Sequence, residues 1–234
     1  MEPARVALIT GASRGIGRGL VGYFLADGYR VVGCSRNEAP PIEGDYVHTC
    51  LDVSDESAVC SWVKGVARSY GGIDVVVNNA GIGASAPALV TATSTAEHLM
   101  RVNFIGSFVV CREAAKVMVR RRFGRIVNIA SMVSGVHMEG ASAYAASKSA
   151  VIEYSKVLAR ELAEHNVTVN VVAPSLVETD MLKELGEKER ERLQQVLTQK
   201  RVCSVEEVVH VVSFLASPES GCVTGQVLYL GLVV

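Results

Sequence analysis

The sequence predicts an α/β domain with a doubly wound, three-layer Rossmann fold on a seven-stranded parallel sheet. Three observations predict it. Short runs rich in Val and Ile alternate with segments of helical length, as βαβ units require. A glycine-rich turn, Thr10-Gly11-Ala12-Ser13-Arg14-Gly15-Ile16-Gly17, directly follows the first of these runs. The chain has 234 residues, of which 49% are apolar and 20% charged, so it can bury one sizeable core within a single domain spanning 1–234.

The apolar runs place strands at 6–10, 30–35, 46–51, 73–78, 124–130, 168–173 and 227–230. Helical segments are expected at 16–27, 56–70, 95–121, 142–165, 181–199 and 204–216, several of them opened by polar capping residues. One helix is missing from the alternation. Only 37–45 separate the second strand from the third, and Pro40, Pro41 and Gly44 make that segment a turn or an extended loop.

Lys and Arg total 23 against 24 Asp and Glu, and neither sign is segregated. No long-range field therefore favours nucleic acid or an anionic membrane. Six scattered cysteines lack C-x-x-C spacing and read as small hydrophobes in a reducing, cytoplasmic compartment. The amino terminus runs into a strand without a signal-like segment, and no apolar stretch is long enough to span a bilayer. No His, Cys and carboxylate cluster has metal-ligand spacing, so no metal is expected.

At the first βα junction, Gly11, Gly15 and Gly17 let backbone N–H groups of the turn, including those of Ser13, Arg14 and Ile16, approach a pyrophosphate at the helix N-terminus. The second strand ends in Ser35-Arg36, where an NAD site usually places a carboxylate. Without that repulsion, Arg36 with Arg14 would supply a guanidinium clamp suited to a 2′-phosphate, so NADPH is expected; two solvated loop arginines are the alternative. Tyr144 and Lys148, four residues apart, share one helix face, and Ser131 ends an apolar strand thirteen positions before the tyrosine.

With these motifs in this order the chain resembles the short-chain dehydrogenase/reductase family over essentially its whole length. Asp52-Val53, Asn78-Asn79-Ala80-Gly81, Asn103, Tyr144-Ala-Ala-Ser-Lys148 and Thr179 complete the match. The resemblance implies a general-acid Tyr144, an oxygen-orienting Ser131, and a Lys148 whose ammonium lowers the phenol pKa while binding the nicotinamide ribose. It also implies an Asn103 that holds a water linking the lysine to solvent. Asp52 and Val53 would contact adenine; Asn79, Ala80 and Gly81 would line the cofactor; Pro174, Val177 and Thr179 would meet the nicotinamide end.

The ketoreductases acting on 3-oxoacyl carrier-protein thioesters are the most similar branch, through Asn170-Val-Val-Ala-Pro174 and Glu178-Thr-Asp-Met181. An acidic acyl carrier protein would then dock on Arg120, Arg121, Arg122 and Arg125, although basic residues at a helix C-terminus also serve its dipole, and His165 stands where carrier-docking relatives tend to have arginine. Reduction of a free secondary-metabolite, sugar or steroid-like ketone is the alternative, with a non-catalytic NADPH-binding scaffold behind it. Ile82, Val133, His137, Met138, Leu176, Met181 and Leu182 are expected to face the substrate. The long helices at 95–121 and 142–165 suggest a homo-oligomer, a tetramer or dimer. Two departures stand out: Pro174-Ser175 replaces the family's Pro-Gly, and the chain ends in an apolar Leu230-Gly-Leu-Val-Val234 in place of Asn/Asp-Gly-Gly.

Overall fold

The computed structural model describes residues 4–183 and 186–234, with the side chains of Met181, Lys183, Lys188 and Glu189 outside the described residues. Strands β1 (Val6–Thr10), β2 (Arg30–Ser35), β3 (Tyr46–Cys50), β4 (Val75–Asn78), β5 (Gly124–Ile129), β6 (Val167–Ala173) and β7 (Val227–Tyr229) form one sheet, ordered β3-β2-β1-β4-β5-β6-β7. Every pairing is parallel. Chain order reverses between β1 and β4, which opens a crevice at the carboxyl ends of the central strands.

The period of two along β1 shows why both faces need cover. Val6 and Leu8 join the core beneath α2 (Glu56–Tyr70), while Ala7 and Ile9 face Leu20 and Phe24 of α1 (Gly15–Ala26). Helix α2 starts where the Asp55 carboxylate accepts from the Ala58 N–H, and it stops at Gly71 in the left-handed region, φ 76°.

The expected helix over 95–121 is divided. Helix α3 (Thr93–Leu99) passes through a π-helical turn, Met100–Ile105, into α4 (Gly106–Arg121). Such a turn carries an extra residue per winding and recurs at functional sites; here it contains Asn103. After β5 a short helix α5 (Val133–Val136) precedes α6 (Ser142–Leu162), which lies along β6. The expected helix over 181–199 is likewise split, into α7 (Asp180–Lys183) and α8 (Glu187–Val196). Helix α9 (Val205–Ala216) opens with a reciprocal capping box between Ser204 and Glu207, the latter also held by Arg201 at 2.6 and 2.7 Å.

No helix occupies 36–45. The segment is instead tied down by Arg18, whose guanidinium donates to the Pro41 carbonyl at 2.6 Å, and by the Arg30–Asp45 ion pair at 2.6 Å. Among the described residues no helix is long and apolar enough to cross a membrane, and no group of three His, Cys or carboxylate residues is placed to hold a metal.

Candidate active site

The glycine turn is tight because its neighbours leave no room for side chains. A Cβ on Gly17 would fall on the Gly11 carbonyl oxygen, and Gly11 and Gly15 hold φ of 67° and 53°. Asn79 locks the turn from the adjacent strand. Its amide donates to the carbonyls of Thr10 and Gly11 at 3.1 Å, while the Thr10 hydroxyl accepts from the backbone N–H of Asn79 and Ala80 at 3.0 Å. Helix α1 has no side-chain cap and no acidic residue in its first turn, unlike α2 and α9. Its first N–H groups, with those of Ser13 and Arg14 before them, are therefore available to an anion.

At the end of β2, Ser35 donates to the Asn37 carbonyl at 2.6 Å and contacts His48 Nε2 at 3.0 Å, while Tyr46 reaches His48 Nδ1 at 2.7 Å. Sequence reasoning missed this chain, since a lone histidine in a strand carries no motif. Arg14 pairs with Asp180 at 3.8 Å, both well exposed. Burial opposes the charge of Asp52, yet hydrogen bonds from Ser54, with Arg36 and His98 nearby, outweigh it and hold the carboxyl below its usual range. Val53 is buried beside Gly106. Thr179 packs on the turn, its methyl 3.2 Å from where a Gly15 Cβ would stand.

Ser131 follows β5, and Tyr144 and Lys148 project from the first turns of α6. Burial raises the Tyr144 phenol above its ordinary 10, partly offset by a hydrogen bond with Ser131. This is opposite in direction to the lowering expected from Lys148. The lysine is itself 4% exposed, its ammonium donates to the Ile129 carbonyl at 2.8 Å, and burial brings it down to about 8. Gly81 makes this possible, because a Cβ there would lie 3.1 Å from Lys148 Nζ and 3.2 Å from Asn103 Oδ1.

Asn103 is fully buried and its side chain is committed to protein groups. Oδ1 accepts from the Ile82 N–H at 2.8 Å, and Nδ2 donates to the Ile82 carbonyl and the Ser147 hydroxyl, each at 2.9 Å. Ser147, unmarked by sequence reasoning, donates in turn to the Tyr144 carbonyl at 2.7 Å. The asparagine side chain thus positions the first turn of α6.

Val133, Met138, Leu176 and Leu182 lie in one apolar cluster with Tyr144. Of the other residues expected to face the substrate, Ile82 packs on the separate core beneath α4, clamped by Asn103, and His137 is exposed at φ 50°. The Met181 side chain lies outside the described residues. The surface-cluster expectation for Arg125 is corrected: it is 2% exposed, and its guanidinium donates to the carbonyls of Gly124, Asn166, Ser217 and Pro218. Arg121 is paired with Asp74 at 2.9 Å, and Arg122 donates to the Glu164 carbonyl.

The family model for short chain dehydrogenases matches residues 5–190. The chain belongs to the short-chain dehydrogenase family. Among curated relatives, the 3-oxoacyl-[acyl-carrier-protein] reductase FabG of Vibrio cholerae is 34% identical over 97% of this chain and 95% of its own length. The corresponding reductase MabA of Mycobacterium tuberculosis is 36% identical, covering 96% and 90%. Among solved structures, ElxO with NADP bound superposes with a TM-score of 0.91 at 29% identity over 97% of both chains. The chain is thus an oxidoreductase of this family. Ser175, where the family commonly has glycine, is not in the left-handed region, so the substitution stores no backbone strain.

Proposed function

We propose that this protein is an NADPH-dependent ketoreductase that converts a ketone to a secondary alcohol with Tyr144 as general acid, acting on 3-oxoacyl thioesters. The observation that carries the reading is the convergence of Ser131, Tyr144 and the buried Lys148 at one end of the sheet, beside an uncapped glycine-turn helix. The residues that would hold the cofactor are Gly11 through Gly17 at the pyrophosphate, Ser35 and Arg36 with Arg14 at the 2′-phosphate, and Asp52 with Val53 at adenine. Asn79, Ala80 and Gly81 would line it, and Lys148, Pro174, Val177 and Thr179 would hold its nicotinamide end. NADPH, when bound, supplies the hydride for the carbonyl carbon.

The chain's own residues manage the oxygen. Tyr144 delivers its phenolic proton to the carbonyl oxygen as negative charge develops there; its raised pKa keeps it in the acid form across the neutral range. Ser131 donates a hydrogen bond to the same oxygen and orients it. Lys148, at about 8, is still largely charged near pH 7 and stabilises the phenolate left behind.

FabG and MabA, similar over nearly their full lengths, support a 3-oxoacyl thioester as substrate. The burial of Arg125 and the pairing of Arg121 thin the basic cluster a carrier protein would need, and this favours a free ketone as the second reading. Val157, an apolar residue of α6 that is more than half exposed, supports a homo-oligomer. A cytoplasmic location fits six free cysteines.

The test is NADPH oxidation over carrier-bound, coenzyme-A-bound and free ketones, with Tyr144→Phe alongside. The variant is expected to bind NADPH normally and lose at least about a hundredfold in kcat. Turnover within a few-fold of the unaltered enzyme would remove Tyr144 from the chemistry.

A further inference from the structure

The two places where this chain departs from the family's pattern, Ser175 and the carboxyl-terminal segment, meet in the structure. Gly231, at φ 79°, lies against the Ser175 side chain, whose hydroxyl is 2.8 Å from where a Gly231 Cβ would be and 3.4 Å from Cys203 Sγ. Any larger residue at 231 would collide there. The tail is thereby packed against the loop that follows β6. The Gln199 N–H donates to the Gly231 carbonyl at 3.2 Å, and the Val233 N–H to the Thr198 hydroxyl at 3.0 Å, so the tail is bonded to the segment that follows α8.

The other edge of this segment runs beside the catalytic loop. Tyr229 OH contacts the Ser134 hydroxyl at 3.3 Å, and that hydroxyl donates to the Ser131 carbonyl at 2.6 Å. Val234 closes on Gly135, where a Cβ would overlap its Cγ1. Between these anchors Leu232 is 8% exposed although Val233, next to it, is 81% exposed. The leucine enters the same apolar cluster as Val133, Leu176, Leu193 and Leu197, against which Tyr144 and Met138 also pack.

We propose that Leu232 is a specificity-determining residue of the ketone site, forming its far wall and limiting the length of the chain attached to the carbonyl. The inference rests on the ketone-reductase reading above. A side chain that ends the pocket favours short substrates and excludes long ones. A residue that merely stabilises the fold would change both alike.

The experiment compares the unaltered enzyme with Leu232→Ala and Leu232→Phe, using a four-carbon and a twelve-carbon 3-oxoacyl thioester as substrates. Each protein's kcat and KM are measured, together with NADPH affinity by fluorescence. The twelve-to-four-carbon ratio of kcat/KM is expected to rise about tenfold or more in Leu232→Ala and to fall in Leu232→Phe, the scale on which apolar pockets discriminate methylenes. NADPH affinity should stay within about twofold, since the tail is held by Ser175, Thr198, Gln199 and the loop after β5.

A turnover-independent arm measures binding of the fluorescent fatty acid cis-parinaric acid to each enzyme–NADP complex, and it should tighten in Leu232→Ala and weaken in Leu232→Phe. A length ratio and a parinarate affinity that both stay within twofold across the three proteins overturn the assignment. An enzyme that reduces no ketone but binds parinarate in the expected order overturns the reductase reading and leaves Leu232 as the pocket wall.

Discussion

Replacing Lys148 with Met should make the protein more stable near neutrality, although it removes a residue on which the proposed chemistry depends. Burial brings the lysine from its ordinary 10.5 to about 8. At about 1.36 kcal/mol per pH unit, that gap is a penalty of about 3 kcal/mol for burying the charged form. Methionine occupies similar space without charge but leaves the Ile129 carbonyl unpaired, a loss of about 1 kcal/mol. The variant should therefore gain about 2 kcal/mol near pH 7.

The sign of the pH dependence follows from the lowered pKa. Between about 8 and 10.5 the unfolded chain still binds the proton that the folded chain has released, so the unaltered protein becomes more stable as pH rises through this window. Below it the penalty is fully present. Urea unfolding can be followed through Trp62, the single and buried tryptophan, in both proteins near pH 7 and near pH 10. The stability difference should shrink and then favour the lysine. A difference that stays constant with pH, or a variant less stable near pH 7, would refute the assignment of a strained, buried ammonium.

Two further substitutions test the frame around the site. Asn103→Ala strands the Ile82 amide and carbonyl and one side of Ser147, and should destabilise the fold by about 2–3 kcal/mol in denaturant titrations; a change below about 0.5 kcal/mol would mean the clamp is dispensable. Gly17→Ala places a methyl group on the Gly11 carbonyl oxygen and should abolish NADPH binding by isothermal calorimetry while helical content by circular dichroism persists; undiminished affinity would show that the turn can relax.

Where the sequence carries a period or a spacing, the fold follows from it. All seven strands lie within two residues of their expected bounds; for β1, β4, β5 and β6 the reason is that burial on both faces leaves runs rich in apolar residues. The break in the helix containing Asn103 was not legible, since a π turn changes hydrogen-bond partners without changing composition. Tyr144, Lys148 and Ser131 were found because they carry a motif. Ser147 was missed because an inward serine on a helix looks like any small residue, and Leu232 because its role depends on contacts far away in sequence. The opposite shift of Tyr144 has the same origin: a charge four residues away is visible in a sequence, whereas burial of the phenol is not.

The absent helix between β2 and β3 leaves that edge of the sheet less covered than its centre. No residue of strand β3 is fully buried, and Val47 and Cys50 are exposed, whereas every residue of β5 and β6 is buried. Few apolar contacts must be broken to separate β3 from its neighbour, so this edge opens at a lower free energy than β5 and β6. Its polar chain of Tyr46, His48 and Ser35 occupies that edge, next to the residues proposed to read the 2′-phosphate. A nucleotide held there would slow exchange of the β2 and β3 amides while leaving those of β5 and β6 unchanged, so that cofactor discrimination and local opening draw on the same few hydrogen bonds.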